Sequence, residues 1–75
     1  MTLETLKQKL ETLAEGTLVE VSDLTGTQDH YQAKVISGSF EGKSSLQRHR
    51  MVLALVQQEI DSGEIHALSL ITQIP

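Results

Sequence analysis

The chain has 75 residues, 39% of them apolar, with no cysteine and a formal net charge of -4 at pH 7. This length allows one domain, residues 1–75, whose core must hold without disulfide bonds or a cysteine-based zinc site. The negative charge disfavours general binding to nucleic acid, and no apolar run approaches the roughly 18 residues of a membrane span, so we expect a cytoplasmic protein without a membrane partner.

The first half of the chain predicts one helix and a β-hairpin. Leucines recur at helical spacing from Leu3 onward, and Thr2 and Gly16 fit the two ends of that helix. Residues 17–22 and 30–37 each alternate apolar and polar side chains, and turn-forming residues lie between them. Two such strands joined by a short loop are expected to pair antiparallel.

The second half predicts a longer helix and a third strand. Ser44 and Gln47 have the spacing of a capping box. The helix is expected to extend to about Asp61, to have a break near its start and to end at Gly63. Its apolar side is expected to contain Leu46, Val52, Leu53, Val56 and Ile60. Residues 65–72 are apolar on both faces, which indicates a strand with one covered face and partial burial of the other.

This order of elements predicts an α+β fold in which helices cover one face of a three-stranded mixed sheet. The helix between the second and third strands is long enough for a crossover, so those strands can be parallel neighbours. The arrangement resembles a type II KH domain. The nearest match to the GXXG loop of that domain, GSFEG at residues 38–42, is one residue too long.

The Gly-Lys-Ser at residues 42–44 is not a nucleotide-binding loop, because Ser37 stands where that motif requires its first glycine. A turn that precedes a serine-capped helix explains these residues better. Ser44 and Ser45 also lack an Asp-His relay at a recognisable spacing, and the carboxylates are scattered. We therefore expect no enzymatic activity.

Two of the three histidines are expected to lie close together. If the second and third strands are parallel neighbours, His30 and His66 both lie at strand starts, near one edge of the sheet. They would form an open imidazole site beside the loop around Gly26, although alternation along the strands leaves open whether the two rings face the same side. His49 lies in the basic part of the helix and has no such neighbour.

The segment HYQAKVISGSFEGKSSLQRHRMVLALVQQEI, followed by IHALSLITQIP, resembles the BolA family. The motifs that carry the resemblance are F-x-G-K-x-x-x-x-R-H-R before a long helix, I-H-A-L-x-L, and T-x-x-P. The resemblance implies the order helix-strand-strand-helix-helix-strand, a KH-like fold without a GXXG loop.

The resemblance also implies a partner role. BolA-like proteins pair with monothiol glutaredoxins, and the heterodimer binds a [2Fe-2S] cluster together with glutathione, in iron-sulfur trafficking or iron and redox sensing. The histidine of the I-H-A-L motif, here His66, is one cluster ligand. The other comes from the loop between the first two strands, as a cysteine in one subgroup and a histidine in another. Thr27 stands where that cysteine aligns, so His30 is carried over as the second ligand. The free chain is expected to be a monomer or a weak homodimer.

A basic cluster, which consists of Lys43, Arg48, His49 and Arg50, supports an alternative function. The BolA family is also described as DNA-binding transcriptional regulators of stress response and cell morphology, with the basic helix as the contact. The resemblance also implies that the same surface contacts the glutaredoxin in the complex that holds no cluster. Because the chain is acidic and has no aromatic residues interleaved with these cations, DNA binding is the second of the two hypotheses.

Overall fold

The structure is a computed structural model that describes residues 2–24, 26 and 30–75. Its α-helices are α1 (Leu3–Glu11), α2 (Ser45–Leu53) and α3 (Gln57–Ser62), and its strands are β1 (Leu18–Asp23), β2 (His30–Ile36) and β3 (Ala67–Gln73). Short 3-10 turns occupy Gly38–Phe40 and Ala54–Val56. No helix in the described part of the chain is long and apolar enough to cross a membrane.

The helix ends follow local capping chemistry. At the start of α1, the Thr5 backbone N–H donates a hydrogen bond of 3.1 Å to the hydroxyl of Thr2. The capping box of α2 is complete, because Ser44 and Gln47 each accept a hydrogen bond from the other's backbone N–H. Gly63 ends α3 in the left-handed conformation, with φ of 85°. These three predictions are confirmed.

The central strand is β2, which pairs antiparallel with β1 and parallel with β3. Both pairings confirm the sequence prediction. The register places Tyr31 opposite Asp23 on one side and Leu68 on the other. Since β2 and β3 run in the same direction, the residues that begin these two strands lie at the same edge of the sheet.

The core lies between one face of the sheet and the helices. Alternate residues of β2, namely Tyr31, Ala33 and Val35, have no exposed surface. The helices and turns contribute the remaining fully buried apolar residues, namely Leu6, Leu10, Phe40, Val52 and Val56. The α+β class, with helices on one face of a three-stranded mixed sheet, is therefore confirmed, while the comparison with KH domains stays a prediction.

The prediction for Leu46 was wrong, because 59% of this residue is exposed. Leu46 is six residues before Val52, and six residues correspond to a rotation of about 120° away from the same face of an α-helix. Leu46 therefore lies on the side of α2 that carries exposed Arg50.

Two further predictions about the helices were wrong, namely the position of the break in the second helix and the end of the first helix. The second helix is interrupted in its middle, at Ala54–Val56, where Val56 leaves the helical conformation with φ of -125° and ψ of 21°. The first helix ends at Glu11, because Thr12 caps it through its backbone N–H and its hydroxyl, which both donate to main-chain carbonyls. Gly16, with φ of 81°, instead serves the turn that enters β1.

The second face of β3 is not partly buried as predicted. The residues Leu68, Leu70 and Thr72 face the helices and are half-buried, whereas Ala67, Ser69, Ile71 and Gln73 face away and are exposed. Ile71 has 39% of its surface exposed. The sheet thus has one covered face and one open face.

Candidate metal centre

The side chains of His30 and His66 stack against each other at one end of the sheet. Their ring centroids are 5.9 Å apart, and the ring planes differ by 16°. His30 is the first residue of β2 and pairs with Ala67, so the parallel register brings the preceding His66 beside it. The expected proximity of these two histidines is confirmed, and the open question of their orientation is answered, since both rings lie together.

The two histidines differ in exposure. His30 is half-buried, whereas His66 is exposed. His30 is also held at the end of the hairpin, because its carbonyl oxygen accepts a hydrogen bond of 2.8 Å from the backbone N–H of Leu24. His30 is therefore fixed in the sheet, whereas His66 is accessible to a molecule that approaches from solvent.

The loop beside the pair turns around Gly26. Its backbone N–H donates a hydrogen bond of 2.9 Å to Asp23 Oδ1, and its φ is 76°. An aspartate that caps such a turn fixes where the chain leaves β1. Thr27, the position where the resemblance places a cysteine in one subgroup, lies outside the described residues.

The donor atoms of the pair define which groups it suits. Two neutral imidazoles are good ligands for iron, copper, zinc and nickel, and in one class of [2Fe-2S] centre two histidines bind one of the two irons. The chain has no cysteine, and within residues 2–24, 26 and 30–75 no group of three or more histidine, aspartate and glutamate side chains is placed to hold a metal ion. The pair therefore offers two imidazole ligands, and any of these metal centres bound there would need its remaining ligands from another molecule or from solvent.

The basic cluster surrounds the start of α2. Lys43 and Arg50 are exposed, and Arg48 and His49 are half-buried. Arg48 Nε donates a hydrogen bond of 3.0 Å to the carbonyl oxygen of Lys43, and its guanidinium lies 5.9 Å from the ring centroid of buried Phe40. Arg48 thus stabilises the turn before the helix. Only part of the predicted basic cluster therefore faces solvent. Among the described residues, the only stacked imidazoles are those of His30 and His66, so His49 has no such neighbour.

One charged pair had no counterpart in the sequence predictions. Lys9 of α1 donates a hydrogen bond to the buried carboxylate of Glu59 in α3. This bond from the ammonium holds the pKa of Glu59 below its ordinary value of 4.5, against the opposing effect of burial. Only the burial of Glu59 had a signal in the sequence, because Glu59 follows Val52 and Val56 at spacings of seven and three, on the buried side of the helix; its partner had none.

A family model described as BolA-like protein matches residues 4–75 of the chain. Among curated proteins, Protein BOLA1, chloroplastic, of Arabidopsis thaliana is 39% identical over 51 residues, which are 68% of this chain and 31% of that protein. Protein BOLA2 of the same plant is 38% identical over 71 residues, which are 93% of this chain and 74% of that protein. The chain thus spans only about a third of the length of the first of these relatives.

Solved structures show the same fold. The structure of BolA1 from Arabidopsis thaliana superposes with a TM-score of 0.83 at 30% sequence identity, covering 96% of this chain and 89% of that one. The superposition covers the sheet and the helices of this chain nearly completely.

Proposed function

Because this chain belongs to the BolA-like protein family, we propose that it is a non-catalytic partner of a monothiol glutaredoxin, with which it binds a [2Fe-2S] cluster. In this role it acts in iron-sulfur cluster trafficking or in iron and redox sensing. His66 and His30 are the ligands that the chain donates, while the glutaredoxin cysteine and glutathione supply the thiolates.

The observation that supports this proposal most strongly is the stacked pair of imidazoles, with centroids 5.9 Å apart. The parallel pairing of β2 and β3 brings these two imidazoles together at the sheet edge that borders the hairpin loop, which gives the chain two adjacent imidazole ligands. A chain without cysteine also needs thiolates from outside if it is to hold such a cluster.

The exposures of the two histidines fit a shared site. Half-buried His30, anchored in β2, orients the pair, and exposed His66 faces the partner. When bound, the cluster supplies one-electron chemistry or is itself the cargo. Neutral imidazole adds no negative charge to its iron, unlike thiolate, so these ligands favour a higher potential and easier release. Both properties suit transfer or sensing.

We also propose that the protein is cytoplasmic and has no catalytic activity. The relative BOLA1 carries the word chloroplastic in its name, so membership of the family does not by itself fix the compartment.

Anaerobic reconstitution tests the proposal. The chain is mixed with a monothiol glutaredoxin, glutathione, iron and sulfide, and the visible circular dichroism spectrum is compared with that of the glutaredoxin alone. We expect a distinct heterodimer spectrum that His66→Ala abolishes and His30→Ala weakens. The control is Gln32→Ala, which shortens a half-buried side chain on the same face of β2 as His30 and leaves all three imidazoles in place. An unchanged glutaredoxin spectrum with the wild-type chain would refute the proposal for that partner.

DNA binding is the less favoured function. The guanidinium of Arg48 already contacts Phe40 and the Lys43 carbonyl, which leaves Lys43 and Arg50 as the exposed cations of the basic cluster. The net charge of -4 repels a polyanion elsewhere on the surface. Two exposed cations support few phosphate contacts, and the affinity and salt dependence of DNA binding grow with the number of such contacts.

A further inference from the structure

The strand β3 lies at an edge of the sheet, and three of its seven residues have backbone groups that face outward. The backbone N–H of Ser37 donates a hydrogen bond of 3.0 Å to the carbonyl oxygen of Gln73, in a register that places Gln73 opposite Ile36. In a parallel pair, the backbone N–H and C=O groups of every second residue point toward the neighbouring strand. The odd-numbered residues of β3 therefore form the hydrogen bonds to β2. The N–H and C=O groups of Leu68, Leu70 and Thr72 therefore face the free edge.

These outward groups are not used within the described part of the chain. No backbone hydrogen bond between described residues, apart from those internal to helices and strands, involves Leu68, Leu70 or Thr72. The helices also do not extend fully over this edge. Tyr31 and Ala33 in β2 have no exposed surface, whereas Leu68 and Leu70, on the same face of the sheet, are only half-buried.

The sequence of β3 lacks the features that protect edge strands. The segment ALSLITQ contains no charge, proline or glycine. In contrast, the opposite edge strand β1, LVEVSD, carries Glu20 and Asp23. Charged residues on an edge strand oppose the addition of a further strand, and an uncharged edge rich in β-branched and apolar residues favours it. The two edges of this sheet therefore differ in their capacity to accept a strand.

We propose that β3 pairs antiparallel with β3 of a second copy of this chain, which joins two three-stranded sheets into one of six strands. Antiparallel pairing of identical strands is the arrangement that a two-fold axis produces. With Leu70 at the axis, Leu68 lies opposite Thr72, and Ser69 lies opposite Ile71 of the other copy. The three outward-facing residues then satisfy their backbone groups by exchanging hydrogen bonds.

A second copy fits this edge better than the β1 edge does. The β3 pairing opposes no charged residues, and it buries the exposed parts of Leu68, Leu70 and Ile71. Pairing of β3 with β1 of another copy would set Glu20 or Asp23 among these apolar residues. The charge of -4 on each copy opposes association, so we expect the dimer to be stabilised by added salt.

The dimer is independent of the proposed cluster role. His66 precedes β3, and antiparallel pairing sets the start of one β3 against the end of the other. In this register the two copies of His30 lie about 20 Å apart along the strand direction and the two copies of His66 about 26 Å apart. Both pairs therefore stay accessible, and a failure of either proposal leaves the other unaffected.

Sedimentation equilibrium of the full chain, from low micromolar to millimolar concentration, tests the dimer. We expect a reversible monomer–dimer equilibrium that Ile71→Lys weakens by about tenfold or more, since two lysines would then lie diagonally across the axis. Leu18→Lys is the matched control, because it makes the same change at an exposed apolar position on the opposite edge of the same open face. Circular dichroism melting checks that both variants are folded.

Amide hydrogen exchange of the wild-type chain locates the contact without any substitution. We expect protection of Leu68, Leu70 and Thr72 to increase with protein concentration, while protection in β1 stays constant. A monomer at every concentration would overturn the proposal. So would an equal effect of Ile71→Lys and Leu18→Lys, or concentration-dependent protection in β1.

Discussion

Lys9 of α1 and Glu59 of α3 form an ion pair that joins two helices 50 residues apart in the chain. The Lys9 side chain is 38% exposed and the Glu59 side chain only 10%. The carboxylate therefore has little contact with water, and the ammonium of Lys9 stabilises its charge. The second carboxylate oxygen, Oε2, is buried with no hydrogen-bond partner among the described residues. Loss of Lys9 would therefore leave a buried carboxylate without compensation.

Replacement of this carboxylate should destabilise the fold. We predict that Glu59→Gln lowers the free energy of unfolding at pH 7 by about 1–3 kcal/mol, because it removes a charge-assisted hydrogen bond from a buried position. Urea unfolding followed by circular dichroism measures the change. Glu11→Gln, at an exposed position of α1, serves as the control and should change the stability little. Equal effects of the two variants would contradict the interpretation.

The same pair predicts how stability depends on pH. The pKa of Glu59 is lower in the folded state than its ordinary value of 4.5, so the unfolded state takes up the proton first as the pH falls. The contribution of the pair is complete above about pH 4.5 and is lost as the pH falls through the folded-state pKa. Urea midpoints measured from neutral to acidic pH should fall less steeply for Glu59→Gln than for the wild type.

The arrangement of the sheet could be predicted because its signals are local. Alternation at Tyr31, Ala33 and Val35 indicated the second strand, and a helix of crossover length allowed β2 and β3 to be parallel neighbours. From that topology alone, His30 and His66 were expected at one edge. Their contact followed from strand direction rather than from any pattern of metal ligands.

Other features could not be predicted because they depend on contacts between distant segments. The interruption at Ala54–Val56 has no glycine or proline to mark it. The position of Arg48 over Phe40 and the pairing of Lys9 with Glu59 both depend on how the helices pack on the sheet. From the sequence alone, charged side chains such as Arg48, Lys9 and Glu59 are expected to face solvent.

The capping box of α2 gives a second stability prediction. Ser44→Ala should lower the free energy of unfolding by about 1 kcal/mol, because the backbone N–H of Gln47 loses its acceptor. Chemical unfolding measures this difference. The adjacent substitution Ser45→Ala leaves the capping box intact and provides the control. A larger loss of stability in Ser45→Ala than in Ser44→Ala would contradict the assignment of Ser44 as the N-cap of α2.

The basic cluster predicts only weak DNA binding. Fluorescence anisotropy should show binding that is lost with added salt, is equal for duplexes of different sequence, and decreases in Lys43→Ala combined with Arg50→Ala. Lys7→Ala combined with Lys34→Ala is the control, because it changes the net charge by the same amount at two lysines outside the cluster. A preference of about a thousandfold for one duplex sequence would instead support the regulator function.

The proposed cluster ligation should depend on pH. Protonated imidazole has no lone pair for iron, so proton binding and iron binding compete. We predict that the heterodimer cluster becomes less stable as the pH is lowered from about 8 to about 5, whereas a cluster held only by thiolates in a glutaredoxin homodimer is less affected. Absorbance loss during a pH titration under anaerobic conditions measures this. A heterodimer cluster equally stable across the range would count against histidine ligation.

Electron–nuclear double resonance on the reduced heterodimer cluster shows directly whether nitrogen atoms of this chain bind its iron. With only this chain labelled with nitrogen-15, we predict strong hyperfine couplings from the ring nitrogens of both His30 and His66. His30→Ala, which retains a weakened heterodimer cluster, should remove one coupling, and His49→Ala should remove neither. A heterodimer cluster that shows no directly coupled nitrogen from the labelled chain would contradict the claim that this chain supplies histidine ligands.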